Sequence, residues 1–241
     1  MFGTSPLLNG VAYRRVSMAV GLSNGFNQGT NTNTIAAADP GNENKWDLVT
    51  IGAGGALVYD NTHINSGTLS AKVTTGGAGV TFRWSTQFGT QTDHYGRLYY
   101  FIAANPAANC QFVRNVSGAT AQAFMTIGTT GKITCSDSAA GSAVSTNSIA
   151  TNQLIRIEYH ILHSATVGIV ECKLFNTATS TTATETITLS SANTGTSSSA
   201  IIFGNSGANS VGPFWMDDII SNTTGYPGPE VNYPRGFFQV I

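Results

Sequence analysis

The sequence predicts an all-β protein built as an antiparallel β-sandwich. Apolar and polar residues alternate with a period of two in TLSAKVTT, VTFRWST and IRIEYHI, which is typical of strands with one buried face. The segments between such stretches are rich in Gly, Ser, Thr and Asn, residues that favour turns. No segment carries a sustained apolar stripe at helical spacing, and strands without intervening helices favour antiparallel sheets packed face to face.

The predicted strands differ in which of their faces would be buried. In TLSAKVTT, residues 68–75, the side chains of Leu69, Ala71 and Val73 share one face, because successive residues of a strand point to opposite sides. GRLYYFIAAN, residues 96–105, is apolar on both faces, which fits a central strand covered on both sides. Further strands are predicted at 121–127, 130–135, 167–175, 185–190, 199–204 and 213–221.

The composition combines a large apolar fraction with very little charge. Of the 241 residues, 41% are hydrophobic and 10% are charged, against roughly 25% charged residues in an average globular protein. A surface poor in charge has little electrostatic protection against association. We therefore expect a protein that works within an assembly or outside the cell, with a soluble, turn-rich β-domain as the alternative.

Several partner and site classes are disfavoured. The net charge is -1 and Arg14-Arg15 is the only adjacent basic pair, whereas nucleic-acid binding needs a row of phosphate-neutralising side chains. No apolar stretch approaches the ~18 residues of a membrane span. Cys110, Cys135 and Cys172 are widely spaced and form no metal-binding motif. We predict neither nucleic acid nor membrane as a partner, and expect buried structural thiols.

Two stretches at the two ends of the β-rich region carry a resemblance to a known family. KWDLVTIGAGGALVYDNTHINSGTLSAKV leads into the strands, and FWMDDIISNTTGYPGP closes them. This pattern resembles the concanavalin A-like lectin/glucanase (laminin G-like) jelly roll, in the version found in structural proteins of tailed bacteriophages. There a strand of the type aromatic–x–Asp–Asp–aliphatic precedes a Gly/Pro-rich exit. The resemblance implies a jelly-roll domain over residues 25–228, flanked by extensions over 1–24 and 229–241.

The acidic residues lack the catalytic pattern that this resemblance would allow. Retaining glucanases of the fold use carboxylates in a string such as Glu-x-Asp-x-x-Glu, and this string is absent. Asp217 and Asp218 are adjacent, so in a regular strand they would point to opposite faces and make a poor acid–base pair. We therefore predict that the protein is not an enzyme. One Asp is expected to be a buried structural anchor, and its neighbour to face solvent or a loop.

Oxygen ligands and aromatic rings supply the remaining candidate sites. Calcium prefers clustered oxygen ligands, so Asp39 and Glu43 of DPGNEN, together with Asp217, are candidate ligands of a structural Ca²⁺. Turn hydrogen bonds are the alternative role, and no other cofactor is predicted. Sugar rings stack on aromatic faces. The candidate glycan platforms, each with core packing as the alternative, are Trp46, Tyr59, Tyr95 and Trp215.

The C-terminal tail completes the functional prediction. Its apolar side chains need burial, against the domain itself or in a neighbouring subunit; they are Phe237, Phe238, Val240 and Ile241. With the low charge and the family resemblance, this tail predicts a non-enzymatic structural component of a bacteriophage virion, capsid-decorating or tail-associated. Such a protein would contact other virion proteins or copies of itself. The alternative is a carbohydrate-binding module for attachment to cell-surface glycan, and a glycan-cleaving enzyme is a weaker third.

Overall fold

The computed structural model describes residues 21–37, 44, 46–76, 81–207 and 212–230. In this part of the chain all regular secondary structure is β-strand, and no helix is long and apolar enough to cross a membrane. The strands are β1 (Leu22–Asn24), β2 (Leu48–Ile51), β3 (Ala56–Asp60), β4 (Ser70–Thr74), β5 (Phe82–Gln91), β6 (Asp93–Ile102), β7 (Cys110–Ser117), β8 (Thr120–Ile127), β9 (Lys132–Asp137), β10 (Ser142–Ser148), β11 (Ile155–Leu162), β12 (Gly168–Phe175), β13 (Glu185–Ala192), β14 (Ser198–Asn205) and β15 (Phe214–Asn222).

These strands form two antiparallel sheets. The eight-stranded sheet has the order β13-β12-β11-β6-β15-β4-β3, and β1 pairs with the second half of β15. The seven-stranded sheet has the order β10-β9-β8-β7-β14-β5-β2. The last strand in sequence, β15, therefore lies in the middle of its sheet, between β6 and β4. The prediction of an all-β antiparallel sandwich is confirmed.

One apolar core lies between the two sheets. The eight-stranded sheet contributes Leu98 and Tyr159, and the seven-stranded sheet contributes Trp84, all fully buried. The Trp84 ring centroid lies 5.8 Å from those of Trp46 and Phe26, so residues outside the long strands close one end of the core. Large aromatic side chains bury more apolar area than any other residue type, which makes this cluster a major source of stability.

Strand β6 is buried on both of its faces, as the sequence predicts. It lies between β11 and β15, and its residues from Leu98 to Ile102 are all buried. One face belongs to the core. The other belongs to the surface of the eight-stranded sheet that points away from the core, which we call the outer face. On the outer face, the ring of His63 covers Phe101. The backbone N–H of Glu230 donates a hydrogen bond to the Tyr99 hydroxyl oxygen.

Candidate functional site

The acidic doublet of β15 binds a single loop on the outer face. The Asp217 carboxylate accepts hydrogen bonds from the backbone N–H groups of Asn65 (2.8 Å) and Ser66 (3.3 Å). The Asp218 carboxylate accepts from the side chains of the same two residues, at 2.6 Å from Asn65 Nδ2 and 2.7 Å from Ser66 Oγ. The doublet thus fastens the β3–β4 connection to the middle of the sheet.

The expectation that the two aspartates point to opposite faces is wrong. The register between β15 and β6 shifts between Asp217 and Ile220, which marks a β-bulge. Asp218 has φ 44 within this bulge, a left-handed conformation that non-glycine residues adopt infrequently. The bulge adds a residue to β15 and interrupts the alternation of side chains. Both carboxylates therefore reach the same loop.

Burial makes both carboxyl groups harder to ionise. Asp217 is fully buried and Asp218 is 8% exposed. Burial and the neighbouring charge of Asp218 raise the pKa of Asp217 well above its usual range, against the opposing effect of its backbone hydrogen bonds. Burial also raises the pKa of Asp218, while the bonds from Asn65 and Ser66 lower it. The hydrogen bonds that both carboxyl groups accept from Asn65 and Ser66 match a role in holding the β3–β4 connection.

Residues 226–230, which we call the strap, cross the outer face next to the doublet. The Tyr226 hydroxyl donates to the Glu171 carboxylate on β12. Arg97 on β6 donates to the Gly228 carbonyl oxygen at 3.0 Å and forms an ion pair with Glu230. Because Arg97 is itself 2% exposed, these bonds supply partners to the Nη groups of a buried cation. The strap spans the predicted boundary between domain and C-terminal extension.

A groove of about 410 Å³ opens between the strap and strands β11 to β13. Its lining combines charged, hydroxyl and apolar groups: Arg156, Glu158, Lys173, Phe175, Thr181, Thr182, Ala183, Thr186, Gly228 and Pro229. The three threonines are exposed, and Lys173 is half-buried. The groove therefore offers several hydroxyl groups and an ammonium group to a polar ligand.

A buried ion pair forms the floor of this groove. Arg156 Nε lies 2.9 Å from Glu158 Oε1, and the two side chains are 1% and 5% exposed. The other guanidinium nitrogens of Arg156 donate to the carbonyl oxygens of Ala178 and Ser180 in the β12–β13 connection. The guanidinium also lies 3.8 Å over the ring of Phe175. Each guanidinium nitrogen of Arg156 thus has a hydrogen-bond partner, and these bonds hold the floor of the groove in place.

An aromatic patch adjoins the groove where the strap begins. The rings of Tyr95 and His160 are stacked, with centroids 4.1 Å apart and an interplanar angle of 2°. The Tyr226 ring meets Tyr95 edge-on at 5.2 Å, and Lys173 Nζ lies 3.5 Å over the Tyr226 ring. His160 Nε2 is also 2.7 Å from Asp93 Oδ1. Tyr95 and Tyr226 are both half-buried, so part of each ring faces solvent.

The predicted glycan platforms divide into two groups. Trp46 and Tyr59 are 2% and 0% exposed and belong to the core, so the prediction that they present a ring to a sugar is wrong. Tyr95 belongs to the aromatic patch. Trp215 also lies on the outer face, 8% exposed, where His63 packs edge-on against it at 4.4 Å and Lys72 Nζ lies 5.1 Å over its ring.

The remaining predicted sites concern metal and assembly. Asp39, Glu43 and the tail residues after 230 lie outside the described residues. Within the described residues, no three His, Cys, Asp or Glu side chains are grouped so that they could hold a metal ion. Asp217, the third candidate ligand, is occupied by loop N–H groups. A structural Ca²⁺ stays a prediction.

Sequence patterns alone missed the groove. Arg156, Glu158 and Lys173 alternate regularly with apolar residues, a pattern that predicts a strand with one buried face and no groove. The partners of the Arg156 guanidinium are the carbonyl oxygens of residues 178 and 180. These residues belong to the β12–β13 connection, whose path a strand pattern does not predict. The Pro-Gly-Pro segment 227–229 was the available signal for a chain segment that leaves the sheet.

Comparisons with solved structures identify the fold. No protein-family model and no curated protein matches the chain. The cellulose induced protein Cip1 superposes with a TM-score of 0.55 at 18% identity, over 73% of this chain and 89% of that one. A sialidase superposes with a TM-score of 0.52 at 6% identity, over 73% of this chain and 17% of that one. The structure HCR/D-Sa-GBL1/C superposes with a TM-score of 0.51 at 9% identity, over 82% of this chain and 48% of that one.

The chain thus spans most of the cellulose induced protein but only a part of the other two. At these identities the likeness concerns the fold, and fold alone does not fix function. Together with the sheet order described above, it shows that this chain is a jelly-roll-like β-sandwich.

Proposed function

We propose that the protein is a carbohydrate-binding β-sandwich that holds a glycan in the outer-face groove without cleaving it. The observation that carries this proposal is the groove itself, about 410 Å³ in volume and bordered by the strap. Ligand sites are usually concave and of 300–1,000 Å³, with a few fixed polar groups. The shared fold with a cellulose induced protein and a sialidase supports a carbohydrate as the ligand class.

The groups around the groove suit sugar recognition. The hydroxyls of Thr181, Thr182 and Thr186 can donate to and accept from sugar hydroxyls. Tyr95 and Tyr226 in the adjoining aromatic patch are half-buried, and the solvent-facing parts of their rings can contact a sugar ring. Binding then combines aromatic contact at the start of the strap with hydrogen bonds from the β12–β13 connection and the first residues of β13.

The carboxylates near the groove favour binding over hydrolysis. Among the described residues that line the groove, Glu158 is the one acid, and it is paired with Arg156. The neighbouring acid Glu171 accepts hydrogen bonds from Tyr226 and Thr188. Glycoside hydrolysis needs two carboxyl groups free to exchange a proton and to attack or activate water. Acids committed to protein partners are poorly placed for both steps.

A glycan array with one blocked variant and one matched control tests the binding site. Thr186→Arg fills the groove from an exposed position on β13, so folding should be unaffected. Ser142→Arg adds the same charge at an exposed position of β10, on the other sheet. We expect wild type and Ser142→Arg to bind the same glycans and Thr186→Arg to bind at least tenfold more weakly. Blank arrays for wild type, or equal binding by all three proteins, would remove the groove from the function.

Hydrolysis is tested on the glycans that bind. Incubation of each bound glycan with excess protein should release no new reducing ends. A release that depends on Glu158 and disappears in Glu158→Gln would make the protein an enzyme, contrary to the proposal. The array therefore tests binding, and the hydrolysis assay tests separately whether a bound glycan is cleaved.

Incorporation into a particle is the second candidate function, and the edges of the seven-stranded sheet favour it. Exposed apolar side chains lie on both edge strands: Leu48 is 48% and Ile51 is 39% exposed on β2, and Val144 is 57% exposed on β10. Exposed apolar side chains on the edge strands of a sheet favour association with another chain. We propose that copies of the protein associate through these edges, as a virion component would.

Light scattering after size-exclusion chromatography tests this association. We expect an oligomer for the wild type and a shift toward monomer for Leu48→Lys/Ile51→Lys. The double substitution lies on exposed side chains, so a correctly folded monomer is its expected state. A wild-type protein that is monomeric at high concentration would contradict association through the edges.

A further inference from the structure

Two cysteine thiols from opposite sheets face each other in the core. Cys135 lies on β9 of the seven-stranded sheet, and Cys172 lies on β12 of the eight-stranded sheet. Both are 0% exposed, and both carry free thiols. Their strands are far apart in sequence and belong to different sheets, so this neighbourhood exists only in the folded sandwich.

Three observations place the two sulfur atoms close together. The Cys135 Sγ is 3.9 Å from the carbonyl oxygen of Ile187. Ile187 on β13 is the direct cross-strand partner of Cys172. Strands β9 and β12 contact each other across the core, as the strands of two bridged cysteines must. Contact with the Cys135 thiol, followed by burial, raises the pKa of Cys172 well above its usual value.

We propose that Cys135 and Cys172 form a disulfide that joins the two sheets when the protein folds in the presence of a disulfide oxidant. With glutathione disulfide, the thiolate of one cysteine attacks and releases one reduced glutathione. The thiolate of the second cysteine then attacks the mixed disulfide and releases another. Two protein thiols lose two electrons and two protons in all, and one glutathione disulfide becomes two glutathione thiols.

The third cysteine has a different environment. Cys110 on β7 is buried against the Tyr100 hydroxyl, 4.0 Å from its Sγ. Its cross-strand partner on β8 is Ile127, so no second sulfur lies opposite it there. Cys110 is therefore expected to stay reduced, which accounts for the odd number of cysteines and makes it the matched control.

Burial determines when the bond forms. The thiolate is the attacking species. Both thiols are fully buried and so out of reach of glutathione, and the raised pKa of Cys172 makes its thiolate rare. The native reduced protein should therefore oxidise slowly. During folding the same thiols are accessible, so an oxidising environment at that stage should give the bond.

Refolding followed by peptide mapping tests the proposal. The full chain is unfolded with reductant and refolded in a glutathione redox buffer, in parallel with a sample kept reduced. Mass spectrometry of the unreduced digest should show the Cys135–Cys172 peptide pair and a free Cys110. Because the bond closes a loop between residues 135 and 172, the oxidised protein should melt roughly 10 °C above the reduced one.

Two variants separate this bond from non-specific oxidation. Cys110→Ala should keep both the cross-linked peptide and the difference in Tm between oxidised and reduced protein. Cys135→Ala should lose both. The proposal is overturned if wild type refolded in the glutathione buffer has all three thiols free, or if Cys110 is part of the bond. The wild-type peptide map decides this even if a variant fails to fold.

Discussion

Removal of the Asp217 carboxylate should destabilise the protein, because it leaves backbone donors without their acceptor. The carboxylate accepts from the N–H groups of Asn65 at 2.8 Å, Ser66 at 3.3 Å and Asp218 at 2.8 Å. An unsatisfied buried donor costs about 1–3 kcal/mol. Asn65 and Ser66 are half-buried, so water can reach their N–H groups in part and the lower end of that range applies.

The three lost bonds in Asp217→Ala therefore cost about 3 kcal/mol together. Relief of the buried charge and of its repulsion with Asp218 offsets part of this, since both effects raise the pKa of Asp217. We expect a net loss of about 2 kcal/mol in the free energy of unfolding at pH 7, or roughly 4–8 °C in Tm for a domain of this size. Calorimetry or circular dichroism on heating measures it.

Asp218→Asn is the matched control for this experiment. Its amide can accept from Asn65 Nδ2 and donate to Ser66 Oγ, so both existing side-chain contacts have a replacement. Asn also tolerates the positive φ of this position. We expect stability at pH 7 equal to or above that of the wild type. An Asp217→Ala protein within about 0.5 kcal/mol of wild type, or an Asp218→Asn protein less stable than it, would refute the role of the doublet as an anchor of the loop.

Three further outcomes follow from the structure. The raised pKa of Asp218 means that the folded state binds protons more tightly than the unfolded state. Its contribution to stability is therefore largest below the ordinary carboxyl pKa and is lost as pH rises through the folded pKa. The stability advantage of Asp218→Asn over wild type should shrink as pH falls from 7 toward the ordinary carboxyl pKa of ~3.9 in urea titrations. Burial lowers the pKa of His94 to about 3. Its contribution to the free energy of unfolding is therefore present above pH ~6.5 and is lost as pH falls toward 3. His94→Gln should lose less stability than wild type over this pH range, and equal acid destabilisation of the two proteins would contradict the assignment. A Cβ at Gly96 would lie 2.2 Å from the Tyr159 ring and 2.5 Å from the carbonyl oxygen of Ile220. Gly96→Ala should therefore lower the free energy of unfolding by about 1–3 kcal/mol or more. Gly89→Ala is the control, because a Cβ there has nothing within 4 Å, and its free energy of unfolding should lie within about 0.5 kcal/mol of the wild-type value.

The alternation of residues located most of the long strands closely, although β7 (Cys110–Ser117) was not predicted. The predicted strand 121–127 corresponds to β8 (Thr120–Ile127), and 213–221 corresponds to β15 (Phe214–Asn222). A strand with one buried face repeats every two residues, and this signal is local. Polar edge strands escaped detection: β10 (Ser142–Ser148) has mostly exposed residues and therefore little apolar pattern to detect.

The candidate site was less accessible to sequence reasoning. The sequence predicted four aromatic residues as glycan platforms, each with core packing as the alternative. Tyr95 and Trp215 lie on the outer face, whereas Trp46 and Tyr59 belong to the core. An aromatic residue has the same identity on either side of a sheet. Which side it occupies depends on the segment that packs against it, such as Phe26 on Trp46, and that partner is distant in sequence.

The sequence by itself determined the fold class, the positions of most strands and the burial of the central strand β6, because each depends on the spacing of apolar residues along a short segment. Only the tertiary structure decided the direction of the Asp217 and Asp218 carboxylates, the groove beside the strap and the meeting of Cys135 with Cys172. Those features depend on a bulge, on connections between strands and on the approach of two sheets. Such contacts join residues far apart in the chain, and no local period encodes them.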